Sequence, residues 1–278
     1  MLFRSVDGRW GYIDAAGKLV IEPQFNGVGW FHDGLAAVRI GDTKMIPAAP
    51  PGQVGFINRD GRQVIKPQFL KTGAFSHDRA LFVLLDKKSG RWRYGFVDKT
   101  GFWAVDPEYD RALTFSDGLA CVRVNGLWGY IDPDGKTVIR PRFRLAQPFS
   151  EGLAAVLIDN RWGYINKSGK LVIEAVYTQA TSFGGGLAAV SRGGVYGYIN
   201  TKGETAIRPR YRTARPFRDE RAAVQYFNDK WGYINRQGKS VIPPVYDWAH
   251  DFSDGLAAVN RGGRDDEQRD RERQGVLH

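Results

Sequence analysis

The residues best placed to do chemistry in this 278-residue chain are two sets of arginines and one acidic turn. Arg140, Arg142 and Arg144 alternate along one stretch, and Arg208, Arg210 and Arg212 along another, continued by Arg215 and Arg218. On a strand, the two-residue period puts each trio on one side, where forked guanidinium donors suit phosphate or carboxylate. On that side no aromatic residue lies among them to stack bases, so such a surface would hold a polyanion backbone without reading bases. The turn from Asp132 to Lys136, DPDGK, offers two carboxylates and a glycine, as a calcium loop does. It lacks the further acidic ligands and ends in lysine, so turn chemistry is expected there. His32, His77, His250 and His278 show no metal spacing. His32 and His250 fall near equivalent places in the first and last copies of a repeat, and they form the one candidate pair for an enzyme site in a ring's channel. No nucleophile elbow, phosphate loop or dinucleotide fingerprint occurs. The single cysteine, Cys121, excludes an internal disulfide framework. A non-enzymatic protein without cofactor or metal is expected.

The elements that must position these residues are repeats. LWGYIDPDGKTVIRPRF, Leu127 to Phe143, has near copies beginning at Trp10, Val54, Tyr94, Trp162, Tyr196 and Trp231. Successive starts are separated by 44, 40, 34, 34, 34 and 35 residues, so the unit is 34 residues long and occurs seven times. A second block, FSDGLAAV at Phe115 to Val122, Phe149 to Val156 and Phe252 to Val259 in close variants, closes each unit. In WGYI the side chains alternate, and apolar groups on both faces predict a strand buried between two layers. The glycine between the aromatics is read as room for a neighbouring sheet or ring. Asp or Asn with glycine three residues later, as at Asp132 and Gly135, predicts a tight turn. Thr137 to Ile139 then reads as a second strand ended by Pro141, and Phe143 to Phe149 as a poorer third. Ser150, Glu151 and Gly152 turn the chain into Leu153 to Val156, and Asp159 and Asn160 turn it back to Trp162. Glycine, at 34 copies, is about twice its usual share of roughly 7%, as so many turns require.

These motifs, the aromatic-Gly-aromatic-Ile-Asp/Asn-x-x-Gly run together with FSDGLAAV, resemble the WG repeats found in many bacterial proteins. The resemblance spans Leu2 to Asn260. It implies an all-β repeat protein and carries no common reaction, cofactor or catalytic residue.

The expected fold class is therefore all-β: seven tandem antiparallel meanders over residues 1–260, with a propeller-like closed ring preferred over an open solenoid. Residues 261–278, with five arginines against five acids before Gly275, are expected to be a disordered tail. Two insertions, Gly41 to Gln53 and Asp86 to Arg93, lengthen the same hairpin in consecutive units and share a rim. Loops on a rigid scaffold commonly carry binding, which makes Lys44, Met45, Lys87, Lys88, Arg91 and Trp92 the candidate contacts to a protein or polymer. Trp30, Trp103 and Trp248, with Trp92, break the repeat. The net charge of +10 favours weak polyanion binding as the alternative. No apolar run has the length of a signal peptide or a membrane span, so as written the chain is expected in the cytoplasm, or in the envelope if its N-terminus extends further.

Overall fold

A computed structural model describes residues 2–4, 8–41 and 53–262, and all of its regular elements are β-strands. Backbone contacts divide the chain into two units, Met1–Phe143 and Arg144–His278. In the first unit, the first sheet holds Leu2–Arg4, Trp10–Ile13 and Leu19–Phe25. The second holds Gly27–Val28, Leu35–Ile40, Gln53–Asn58 and Gln63–Phe69. The third holds Lys71–Ser76, Arg79–Asp86, Arg91–Val97 and Trp103–Tyr109, and the fourth Arg111–Ala112, Ala120–Val124, Leu127–Ile131 and Thr137–Phe143. In the second unit, the fifth sheet holds Leu153–Ile158, Arg161–Asn166 and Leu171–Tyr177. The sixth holds Gln179–Ala180, Leu187–Arg192, Val195–Asn200 and Thr205–Tyr211, and the seventh Thr213–Ala214, Ala222–Gln225, Trp231–Ile234 and Ser240–Tyr246. Trp248–Ala249 and Val259–Asn260 form a last antiparallel pair. Each full sheet is a four-stranded meander of the kind that makes a propeller blade.

The sheets are out of phase with the sequence repeat: the FSDGLAAV strands of one unit pair with the WGYI strand of the next, as in Val156 opposite Gly163. The expected third strand over Phe143 to Phe149 is reduced to a single bridge, Ala146 to Val156. The strand expected to end at Pro141 instead runs from Thr137 to Phe143. Its register slips by a bulge between the pairs Tyr130–Ile139 and Trp128–Phe143, and because it is the edge strand, proline's missing donor costs no ladder bond.

That bulge explains the glycine of the WG pair. A Cβ at Gly129 would stand 2.5 Å from the Ile139 carbonyl oxygen and 2.6 Å from the Pro141 nitrogen. The close approach comes from the bulged neighbouring strand of the same sheet, not from another sheet or ring.

Within each unit, sheets are fastened to one another by aromatic pairs. Tyr12 packs on Phe31, Phe56 on Phe75, Tyr164 on Phe183 and Tyr198 on Phe217, with ring centroids 4.9, 4.9, 4.9 and 5.0 Å apart. Where the ring is tyrosine, its hydroxyl donates to a carbonyl seventeen residues on, as from Tyr164 to Thr181 O at 2.8 Å and from Tyr198 to Arg215 O at 2.9 Å. Burial pushes the Tyr12 and Tyr109 hydroxyls up to about 12.

Candidate binding surface

The acidic residues of the repeat are committed to backbone. The Asp132 Oδ1 accepts from the Asp134 and Lys136 amides at 3.1 and 2.9 Å, and Asn166 does the same for Ser168 and Lys170. This is an Asx turn, which closes the hairpin with the side chain. The turns within the FSDG block carry a second function that the sequence did not reveal. Their side chains accept from an amide in the following sheet: Asp33 from Asp78, His77 from Gly118, Glu151 from Gly186 and Asp219 from Gly255. One sequence position is thus both turn residue and clasp between sheets. Gly186, in the FGGGLAAV variant, is the donor in one such clasp. His77 is used here, while His32 and His250 lie in different units.

The profile of the WG containing repeat family matches residues 10–43, 55–88, 94–128, 128–162, 162–196, 196–231 and 231–264. The chain belongs to that family. No curated protein matches it. Among solved structures, it is similar to one described as a eukaryotic initiation factor, at 13% identity and a TM-score of 0.60, over 90% of this chain and 74% of that one. It is also similar to BamB from Moraxella catarrhalis, at 14% identity and a TM-score of 0.50, over 94% and 86%. At such identities the likeness is one of fold.

Among the WG repeats, the third sheet has the longest described hairpin between its second and third strands. In the fourth, fifth and sixth sheets these strands meet in two-residue turns, such as Asn125–Gly126 between Val124 and Leu127. In the third sheet, pairing continues outward through Trp92 opposite Leu85 and Arg91 opposite Asp86. The turn itself is ordered by Asp86, whose carboxylate accepts from the Lys88 amide at 3.0 Å and the Ser89 hydroxyl. The Ser89 hydrogen bond holds the Asp86 carboxyl below its usual range. Trp92 and Leu85 remain 52% and 44% exposed although they face each other across the ladder. Lys87, Lys88 and Arg91, at the tip of the same hairpin, are all exposed. Lys44 and Met45, in the matching hairpin of the second sheet, lie outside the described residues.

The arginine trios are not uniform stripes. Arg140 and Arg142 belong to the first unit and Arg144 to the second. All six side chains are exposed, with Phe143 and Tyr211 buried between them, and several of the guanidinium groups are engaged. Arg142 lies over the Phe143 ring at 5.0 Å, Arg144 donates to Asn160 at 3.1 Å, Arg210 to the Gly238 carbonyl, and Arg212 pairs with Asp229. Arg140 and Arg208 are exposed. Of the remaining repeat-breaking tryptophans, Trp30 is exposed, Trp103 packs on Phe82 at 5.4 Å, and Trp248 on Trp231 at 5.4 Å. Among the described residues no helix is long and apolar enough to cross a membrane.

Proposed function

We propose that this WG-repeat protein is a non-enzymatic scaffold that binds another protein through the extended hairpin of its third sheet. The observation that carries this reading is the exposed Trp92–Leu85 pair on a hairpin held rigid by its ladder and by Asp86. A tryptophan supplies large apolar contact area at low entropic cost, and interface hot spots are enriched in Trp and Arg. Lys87, Lys88 and Arg91 on the same hairpin favour a partner whose rim is acidic.

Truncating both Trp92 and Leu85 to alanine should leave stability within about 1 kcal/mol, because neither side chain is buried. Recovery of the partner captured by the intact chain should fall at least tenfold, a loss of about 1.4 kcal/mol. Equal recovery by the double variant would remove the hairpin from the interface.

Polyanion binding is the second reading, favoured by the net charge of +10 and the exposed Arg140 and Arg208. Here the double change to Gln should lower the salt at which the protein leaves immobilised heparin, since each neutralised anionic group adds about 0.7 to 0.9 to the salt slope. Elution at the parental salt would leave these arginines without that role.

A further inference from the structure

The second repeat leaves open a place that the seventh fills. At the head of the WG strand six repeats carry an aromatic residue, Trp10, Tyr94, Trp128, Trp162, Tyr196 and Trp231, whereas the second carries Val54. In the seventh sheet the Trp231 indole packs at a tilt on Trp248 of the following strand pair, with ring centroids 5.4 Å apart. The Arg215 guanidinium lies 5.4 Å from the first ring and 5.1 Å from the second. Counted from the shared FSDGLAAV block, the second repeat has Val54 for Trp231, Gly29 for Arg215 and Lys71 for Trp248. The second repeat thus lacks the two indoles and the guanidinium that meet at this spot in the seventh.

What remains is a cavity of about 420 Å³, whose lining includes Gly27, Gly29, Val38, Arg39, Lys71 and Thr72 as well as Val54. The fold does not demand its two glycines. A Cβ on Gly29 would make only ordinary contacts, at 3.5 Å or more from Ala37, and one on Gly27 would come no nearer than 3.6 Å to Arg39. Other repeats place Arg111, Leu145, Gln179 or Trp248 where Gly27 stands, so larger side chains fit the strand. The cavity's polar groups are one-sided. Lys71 is cationic and the Arg39 side chain lines the same wall, no carboxylate among the described residues lines it, and the Thr72 hydroxyl is buried with no hydrogen-bond partner among the described residues. Most repeats have alanine at the position of Thr72.

We infer that this cavity is a binding site for a small molecule with a planar aromatic ring and an anionic group. The ring takes the place of the missing indole against Val54 and Val38, and the carboxylate or phosphate lies between Arg39 and Lys71. The site is separate from the hairpin proposed above as the protein contact and does not depend on it.

Calorimetric titration of the full chain with indole-3-acetate, 1-naphthoate and adenosine monophosphate tests the site, with uncharged indole as the comparison. At least one of the three anions should bind once per chain, and at least tenfold tighter than indole. Lys71→Gln should reduce that advantage to a few-fold without changing the affinity for indole. Val54→Trp, which restores the residue of the sister repeats, should abolish binding and leave the thermal midpoint unchanged or higher. Gly29→Gln, the residue found at the equivalent Gln147, should also abolish binding, and serves if the tryptophan variant folds poorly. Failure of all three anions to bind below millimolar concentration overturns the inference, as does undiminished binding by a folded cavity-filling variant.

Discussion

Replacing Gly197 with alanine is expected to lower the free energy of unfolding by about 3 kcal/mol, the upper part of the range for forcing extra volume into a packed interior. The added Cβ would stand 2.5 Å from the Ile207 carbonyl oxygen and 2.8 Å from the Pro209 nitrogen. Both obstacles are backbone atoms of the adjacent strand, so no rotamer change relieves the clash, and the bulge between the pairs Tyr198–Ile207 and Tyr196–Tyr211 must open instead. Gly27→Ala is the control, since its Cβ meets nothing nearer than 3.6 Å; it should change stability by less than about 0.5 kcal/mol. Urea denaturation of the two variants beside the parent measures both. A loss below about 1 kcal/mol at Gly197 would mean that the bulge yields easily and that glycine is not fixed by it.

The contrast between these two glycines shows how far the sequence could be read. Repetition alone identified Gly197 as a required residue, and the strand, turn and strand order around it followed from the alternation in YGYIN and the Asn-x-x-Gly turn. The reason for the glycine was misjudged, because a bulge is a relation between two strands and leaves no mark on either one alone. Pro209 carries the only hint: a proline inside an apolar run fits an edge strand that has slipped out of ladder register. The clasps made by Asp33, His77, Glu151 and Asp219 were hidden for a similar reason. An acidic turn residue satisfies its own hairpin in sequence, while its acceptor role depends on where the next sheet presents an amide. The arginine trios keep the exposure that strand period predicts, while the partners of Arg144, Arg210 and Arg212 lie on other turns and could not be read from that period. Trp92 stands out in the sequence because it breaks the repeat and sits in an insertion, and it is exposed in the structure. Val54 breaks the repeat too, but by a smaller side chain, which draws the eye only once the seventh sheet shows what can fill the space.

Tyr198→Ala should be the most damaging single truncation in the sixth repeat, costing about 3 to 5 kcal/mol, as large-to-small changes of buried aromatics do. The ring is fully buried, its centroid is 5.0 Å from that of Phe217 in an edge-on contact, and its hydroxyl donates to the Arg215 carbonyl. Removing it therefore empties a large volume between two sheets and orphans a carbonyl at the same time. The two terms separate with Tyr198→Phe, which keeps the ring and loses only the hydrogen bond, and should cost about 1 kcal/mol. The protein contains its own precedent: Phe56 and Phe96 occupy this position in the second and third sheets and pair edge-on or tilted with Phe75 and Phe115 at 4.9 and 4.7 Å. The hydroxyl is thus dispensable to the architecture and the ring is not. Burial also raises the Tyr198 hydroxyl well above its ordinary value, so the folded state holds its proton more tightly than the unfolded one. Its contribution is complete below the unfolded value near 10 and declines as pH rises beyond it. Chemical denaturation at pH 7 should rank parent, Phe and Ala variants in that order. If Phe cost as much as Ala, the hydrogen bond rather than the ring contact would be what joins these sheets.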